Sequence, residues 1–313
     1  MMFALVASCH EATMNMTGNS ILITGGTSGI GFELARQLCQ NNTVIITGRD
    51  RGKLELSKAK LSTAHVMQSD VSDPDAISAL YEKVTQNFPA LNILINNAGI
   101  MRKINLQAGA GDLRDITREI ETNLNGPIRI VKQFLPHLQK QRRAAIVNVS
   151  SGLAFVPFPI SPIYSATKAG LHAFTQALRV QLRKTNIKVF ELAPPGTETP
   201  LLRGDFDETD LGGVTGMDVT KLATLAIKGM KRDVLEIRPG LSNVLKLLSR
   251  ISPALALTML AKSNAASLDR MQAQLEAQKQ QVYTNGVTEQ SERPAFQKPI
   301  FESESRNRAI TDQ

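Results

Sequence analysis

Short apolar runs recur along the first 240 residues, and amphipathic stretches separate them. Runs of this length are typical of strands buried on both faces, and the stretches between them are long enough to form helices. Strands that alternate with helices favour a doubly wound α/β fold with one parallel sheet. We therefore predict about seven strands, near residues 20–24, 43–47, 64–68, 91–95, 145–149, 187–192 and 234–238.

The pattern changes at both ends of this region. We predict a flexible N-terminal extension over residues 1–17 and a sheet domain over residues 18–240. A C-terminal helical segment is predicted over residues 241–264, followed by a polar, partly disordered tail over residues 265–313. The helical segment is broken by Pro253, and its apolar run is too short to span a bilayer. It is interpreted as a packed or dimer-facing helix pair, with an interfacial membrane helix as the alternative.

Charge and composition narrow the functional classes. The chain has 313 residues and a net charge of +8, but only 4% of its residues are aromatic. No basic stripe with interleaved aromatic residues and no zinc-ligand spacing is present, so no nucleic-acid partner is expected. The basic excess suits an anionic cofactor. Cys9 and Cys39 are too few for a disulfide framework, and Met1–Cys9 lacks the basic start of an export signal. We expect a cytoplasmic protein.

The first strand runs directly into a cluster of glycines. Gly25, Gly29 and Gly31 are spaced G-x-x-x-G-x-G, and an amphipathic helix follows from Phe32 to Gln40. A tight turn of this kind lets the backbone approach a pyrophosphate, and the helix N-terminus offers its free N–H groups to the anion. The pattern predicts a dinucleotide-binding turn of the Rossmann type. An ordinary glycine-rich turn is the alternative.

The end of the second strand bears on the choice of cofactor. It reads Gly48-Arg49-Asp50-Arg51. An arginine at this place accommodates the 2′-phosphate of NADP, whereas an acidic residue bonds the ribose of NAD. We predict NADP(H), with Arg49 on the phosphate. The alternative is NAD(H), with Asp50 on the ribose and the arginines in solvent.

A second group of residues carries acid–base chemistry. Tyr164 and Lys168 are spaced i, i+4, which places them one turn apart on the same face of a helix. An ammonium beside a phenol is expected to lower the pKa of Tyr164 towards neutrality. Ser151 ends a strand pattern and is expected to point into the same cleft. Ser150 is the alternative, although the alternation of side chains favours Ser151.

With these residues, two further motifs complete a family pattern. Ser69–Asp73 follows the third strand, and Asn96–Gly99 follows the fourth. Over residues 18–240 the chain resembles the short-chain dehydrogenase/reductase family. The resemblance implies an NADP(H)-dependent oxidoreductase acting on a small carbonyl compound or secondary alcohol. It also implies a homodimer or homotetramer built by helices at 112–139 and 164–183. Residues 235–253 further resemble short-chain oxidoreductases encoded beside the teichoic-acid D-alanylation machinery of bacteria.

The resemblance also assigns roles to individual residues. It implies that Tyr164 is the general acid or base, that Lys168 binds the nicotinamide ribose, and that Asn123 holds a relay water. Thr199 would contact the nicotinamide carboxamide, with Thr197 as the alternative. The implied catalytic set is Asn123, Ser151, Tyr164 and Lys168. The implied cofactor-binding set is Gly25, Thr27, Ser28, Gly29, Ile30, Gly31, Arg49, Asp70, Val71, Asn97, Ala98, Gly99, Tyr164, Lys168, Pro195, Gly196, Thr197 and Thr199.

The substrate side of the cleft is predicted from two segments. Leu201–Asp218 is expected to form a lid that closes through its glycines at 204, 212, 213 and 216, and Leu153–Phe158 an apolar wall. This wall suits a modest, fairly apolar substrate. Two other functions remain open from the sequence. One is an NADP(H)-sensing regulator or scaffold without turnover, and the other is an epimerase or dehydratase acting on a nucleotide sugar.

Overall fold

The fold is described from a computed structural model of the chain. The structure describes residues 13–108, 112–207, 210 and 215–291, apart from the side chains at 278, 279 and 281–291. The chain divides into two compact units, residues 1–270 and residues 271–313. The second unit is helical as far as residue 291. Gly212 and Gly213 of the predicted lid lie outside the described residues, as do residues 1–12 and 292–313 of the predicted extension and tail.

The first unit is built on a seven-stranded parallel sheet with the strand order β3-β2-β1-β4-β5-β6-β7. The order reverses between β1 and β4, which creates the crevice where doubly wound sheets bind ligands. The predicted Rossmann-type sheet is confirmed. The strands are β1 Ser20–Ile23, β2 Thr43–Gly48, β3 His65–Gln68, β4 Leu91–Asn96, β5 Ala144–Val149, β6 Ile187–Leu192 and β7 Glu236–Ile237.

Helices cover both faces of this sheet. Within the described residues the helices are, in chain order, α1 Gly29–Leu38, α2 Arg51–Lys60, α3 Pro74–Asn87, α4 Leu113–Ile116, α5 Arg118–Ile120, α6 Gly126–Gln139, α7 Pro162–Gln181, α8 Pro200–Arg203, α9 Val219–Lys231, α10 Leu241–Ile251, α11 Pro253–Ser263 and α12 Ala265–Ser291. A π-helical turn, Glu121–Asn125, joins α5 to α6, and a 3₁₀ turn, Gly152–Ala154, follows β5. None of the helices, within the residues described, is long and apolar enough to cross a membrane.

Two apolar layers hold the helices to the sheet. One layer contains buried residues of α1 and α9, and the other contains buried residues of α3, α6 and α7. Met14 and Met16 are 4% and 3% exposed and belong to the first layer. The predicted flexible extension to residue 17 is therefore wrong for these two residues. Their apolar side chains gain more from burial than the short segment loses in chain entropy.

Two other segments differ from the sequence-based expectation. The predicted long helix at 112–139 is divided into α4, α5, the π-helical turn and α6, because Pro127 has no N–H to donate and its ring disrupts the preceding turn. The last strand is two residues long rather than five. It ends before Pro239, which cannot donate to a sheet ladder. The helix break at Pro253 is as predicted.

Candidate active site

The glycine turn lies between the carboxyl end of β1 and the start of α1. Gly25 and Gly29 have φ values of 65° and 54°, a region that side-chain-bearing residues rarely adopt. A Cβ on Gly25 would lie 2.7 Å from the Cα of Ala98, so the backbones of two loops pass in direct contact. Ser28 precedes α1 with extended backbone, and its side chain makes no capping bond among the described residues. The first N–H groups of α1 are therefore left for an anion.

Asn97 fastens this turn to the end of β4. Its Nδ2 donates to the carbonyl oxygens of Thr24 and Gly25, both at 3.0 Å. In return, the Thr24 hydroxyl accepts from the backbone N–H groups of Asn97 and Ala98. A Cβ on Gly31 would lie 2.3 Å from Asn97 Nδ2, so this position has no room for a side chain. The shape of the turn is thus fixed by close contacts that leave no room for a Cβ at Gly25 or Gly31.

The end of β2 offers Arg49 at the crevice. Asp50 is the N-cap of α2, where its Oδ1 accepts from the N–H of Lys53. Arg49 is 58% exposed at its side chain and lies 4.0 Å from Asp70 Oδ2. Asp70 Oδ1 is engaged by the N–H and the hydroxyl of Ser72. Asp50 is thus engaged as a helix cap, whereas the Arg49 side chain is largely exposed.

Asn123 lies fully buried in the π-helical turn. Its Oδ1 accepts from the N–H of Ile100 at 2.9 Å, and its Nδ2 donates to the Ile100 carbonyl at 2.8 Å. Nδ2 also lies 3.2 Å from the hydroxyl of Thr167 on α7. A Cβ on Gly99 would contact Asn123 Oδ1 and Lys168 Nζ, at 3.3 and 3.6 Å. Asn123 therefore joins the loop after β4 to α7, the helix that carries Tyr164 and Lys168.

Ser151 and Ser150 face different environments. The Ser151 side chain acts on the phenol of Tyr164, whose pKa it lowers, and its Oγ accepts from the N–H of Leu153. Ser150, which follows β5, instead donates its hydroxyl to Glu191 Oε1 on β6, at 2.5 Å. This arrangement favours Ser151 over Ser150 as the residue that faces Tyr164.

Tyr164 and Lys168 lie next to each other on α7, and both are almost completely buried. Burial raises the pKa of Tyr164 to about 12; the Ser151 side chain acts in the opposite direction, and the Glu119 carboxylate raises the pKa further. Burial lowers the pKa of Lys168 to about 8. The expected lowering of the Tyr164 pKa is therefore wrong for the protein without ligand. Lys168 Nζ donates to the Val149 carbonyl at 2.9 Å and lies over the Tyr164 ring, 5.5 Å from its centroid.

Lys168 should make the stability of the unliganded protein depend on pH. Between pH 8 and 10.5 the unfolded chain holds the Lys168 proton that the folded chain has released, so rising pH favours the folded state. The free energy of unfolding should gain up to about 3 kcal/mol across this window. Above pH 10 the Tyr164 phenol ionises in the unfolded chain but stays protonated in the folded one, which lowers the free energy of unfolding and opposes the gain from Lys168. Urea midpoints measured against a Lys168→Met variant check this: the variant should lose the gain, and a parallel pH dependence of the two proteins would contradict it.

The segment after β6 brings Thr199 to the glycine turn. A Cβ on Gly29 would lie 3.2 Å from Thr199 Cβ. The Thr197 hydroxyl instead bonds the Pro195 carbonyl, and Thr197 forms a parallel bridge with Met217. Thr199 is therefore the threonine beside the crevice. Next to it, a cleft of about 310 Å³ is lined by Arg49, Ile100, Met101, Arg102, Arg118, Pro200, Leu201, Gly204 and Asp205.

The structure reveals buried charged groups that the motifs did not indicate. Glu119 is 0% exposed and accepts from the N–H of Arg102 at 3.0 Å, and burial raises its pKa. Glu191 is also 0% exposed and lies within 2.8 Å of His172 Nδ1. Glu191 interrupts the apolar run of β6, and this interruption was the only sign of it in the sequence.

Comparison with known proteins identifies the family of this site. A family model described as short chain dehydrogenase matches residues 19–210. The chain belongs to the short chain dehydrogenase family. Among its relatives is the uncharacterized oxidoreductase DltE of Bacillus subtilis, which is 43% identical over 225 residues, covering 72% of this chain and 89% of DltE.

Solved structures of short-chain dehydrogenases have the same fold. A short-chain dehydrogenase from Sphingobium yanoikuyae in complex with NADPH is 26% identical, with a TM-score of 0.65 over 77% of this chain and 95% of that one. A Burkholderia phymatum enzyme in complex with NAD gives a TM-score of 0.68 at 21% identity, over 76% and 95% of the two chains. This short chain dehydrogenase is therefore an oxidoreductase of CH–OH or C=O groups that uses a nicotinamide cofactor.

Proposed function

We propose that the protein is an NADP(H)-dependent oxidoreductase in which Tyr164 exchanges a proton with the oxygen of a carbonyl compound or secondary alcohol. The observation that carries the proposal is the grouping of Tyr164 with Ser151, Lys168 and Asn123 at the carboxyl edge of the sheet, directly beside the glycine turn. Ligands of doubly wound sheets bind at this edge. The site therefore unites an acid–base group with a dinucleotide cradle.

The buried site suits proton donation to a carbonyl oxygen. With its pKa at about 12, the Tyr164 phenol keeps its proton at neutral pH and is available as a general acid in reduction. The Ser151 hydroxyl, which acts on the same phenol, is the group we assign to orient the substrate oxygen. Lys168 supplies a buried cationic group next to the ring, which favours the phenolate left after proton transfer. The bound nicotinamide supplies the hydride.

The residues of the crevice fit a dinucleotide at both of its ends. The glycine turn has backbone in contact with the neighbouring loop and an uncapped helix start, as a pyrophosphate requires. We assign Gly25–Gly31 to the pyrophosphate, Arg49 to the 2′-phosphate and Asp70 to the adenine. Asn97–Gly99 and Lys168 are assigned to the nicotinamide ribose, and Thr199 to the carboxamide.

Arg49 should decide the preference for NADPH. Arg49→Gln should raise the KM for NADPH by about 10-fold or more, since a charge-assisted bond to phosphate contributes about 1.5–3 kcal/mol. The KM for NADH, which lacks this phosphate, should hardly change. Steady-state kinetics with both cofactors measure the ratio, and Arg51→Gln serves as the control on the neighbouring exposed arginine. An equal effect on both cofactors would contradict the assignment to the phosphate.

A spectrophotometric screen tests the activity itself. The purified protein is mixed with NADPH and a panel of aldehydes and ketones, and loss of absorbance reports turnover. Val156 and Phe158 of the predicted apolar wall are buried, with 1% and 5% exposure, so the panel includes polar as well as apolar carbonyl compounds. Binding of NADPH without turnover across the panel would instead support a cofactor-sensing regulator or scaffold.

Family membership also supports an assembly and a location. We propose a homodimer or homotetramer formed by α6 and α7, in the cytoplasm. Val180 on α7 is 58% exposed in the single chain, as expected of an interface residue. Size-exclusion chromatography with light scattering measures the mass, and a monomer at micromolar concentration would contradict the assembly.

A further inference from the structure

A row of polar residues crosses the carboxyl end of the sheet. Asn96 on β4 is in register with Asn148 on β5, Asn148 with Glu191 on β6, and Glu191 with Glu236 on β7. Residues in register on neighbouring strands point to the same face. The first three are at most 2% exposed. A face otherwise packed with apolar side chains thus contains a polar ladder, directly under the helix that carries Tyr164.

Glu191 is the branch point of this ladder. One carboxylate oxygen accepts the hydroxyl of Ser150 at 2.5 Å, and the other lies 2.8 Å from His172 Nδ1. His172 Nε2 lies 3.0 Å from Gln176 Nε2. A neutral imidazole with its proton on Nδ1 satisfies both contacts, donating to Glu191 and accepting from the amide. Glu191 therefore receives two donors from two different elements.

The charges of this cluster are balanced within the protein. Glu236 pairs with Lys246 and with Arg238, the latter at 3.0 Å, while Glu191 is compensated by the donors of Ser150 and His172. His172, Glu191 and Glu236 have the ligand types of a metal site. Glu236 already has two cationic partners, since Lys246 and Arg238 both contact its Oε1. The cluster is best explained as an internal hydrogen-bonded network.

Both donors of Glu191 sit next to the proposed acid–base residues. Ser150 immediately precedes Ser151, and His172 follows Lys168 by one helical turn and Tyr164 by two, on the same face of α7. We infer that Glu191 is a positioning residue that sets the separation between Ser151 on the strand end and Tyr164 on the helix. This inference rests on the proposed function of that site.

The chemistry explains why a carboxylate serves here. A buried carboxylate is costly unless each oxygen receives a donor, so its geometry is fixed once both donors are in place. A misplacement of about 1 Å at reacting groups costs about 10²-fold in rate. A hydrogen-bonded bridge between the end of β5 and α7 therefore maintains the rate better than an apolar contact, because an apolar contact would let α7 shift relative to the strand.

Variants of the two donors test the inference. His172→Leu and Ser150→Ala remove one donor each and should lower kcat by about 10- to 100-fold. The KM and Kd for NADPH should stay within about 2-fold, because the glycine turn is not touched. His172→Asn retains an N–H near the Nδ1 position and should recover most of kcat. His137→Leu is the control, since His137 bonds the Leu91 carbonyl at the other end of the sheet.

The outcomes are distinct. Unchanged kcat in folded His172→Leu and Ser150→Ala would overturn the inference, as would an equal loss in His172→Asn. If the wild type reduces no carbonyl compound, the proposed function is wrong. The positioning role of Glu191 is then tested by hydrogen exchange. Amides at 150–153 and 162–170 should then exchange faster in His172→Leu than in His172→Asn. Equal exchange in these two variants would overturn the positioning role.

Discussion

Tyr164→Phe should abolish turnover while leaving the protein folded and able to bind NADPH. The substitution removes one buried hydroxyl and keeps the ring that packs under Lys168. Loss of a general acid costs about 10²- to 10⁴-fold in rate, so kcat should fall by about 10³-fold. Initial rates with the best substrate of the carbonyl screen measure this loss, and fluorescence titration measures the affinity for NADPH.

The control for this variant is Tyr81→Phe. Tyr81 lies on α3, where its ring packs edge-on against Phe134 at 5.2 Å, away from the glycine turn. It should keep normal turnover. Tyr164→Phe with more than about a tenth of wild-type kcat would show that another group donates the proton, since loss of the acid should cost far more. Glu119 would be the first candidate, because burial raises its pKa and its carboxylate acts on the Tyr164 pKa.

The apolar runs predicted the sheet well because a strand that is buried on both faces is a continuous run of apolar residues in the sequence. Strands such as β5 and β6 consist almost entirely of buried residues. The π-helical turn was not predicted. Pro127 indicates that the helix is irregular. The position of the extra residue of the π-helical turn, however, depends on the hydrogen bonds between Asn123 and Ile100, which are 23 positions apart in the sequence.

The candidate site shows the same division between local and tertiary information. The spacing of Tyr164 and Lys168 correctly places them on one helix face, because that is a property of helix geometry. The spacing carries no information on burial depth, and burial reverses the expected direction of the Tyr164 pKa shift. Glu191 and His172 were missed for a related reason. Each is unremarkable alone, and only the packing of α7 on β6 brings them together.

Gly31→Ala should weaken NADPH binding because the added methyl group has no space. Its Cβ would lie 2.3 Å from Asn97 Nδ2 and 2.5 Å from the Gly25 carbonyl oxygen, two atoms that are themselves hydrogen-bonded. Overpacking of this kind costs about 1–3 kcal/mol. Since the clash pushes Asn97 away from the glycine turn, much of the cost should appear as lost cofactor affinity, up to about 10²-fold.

The matched control for Gly31→Ala is Gly52→Ala on α2. Gly52 is exposed, and a Cβ there would meet only Asp50 Oδ1 at 3.3 Å. Alanine is the better helix former, but Gly52 is only the second residue of α2 and its methyl group would touch the capping Asp50 Oδ1, so this variant should stay within about 1 kcal/mol of the wild type in stability. Thermal unfolding with and without NADPH separates the two effects, because at a fixed NADPH concentration the rise in Tm grows with the logarithm of the affinity. Gly31→Ala should lose most of the NADPH-dependent rise in Tm, and Gly52→Ala should keep it. If folded Gly31→Ala showed the full NADPH-dependent rise in Tm, the dinucleotide would have to bind elsewhere. The reason is that the added methyl group forces Asn97 and Gly25 apart and so disrupts this turn.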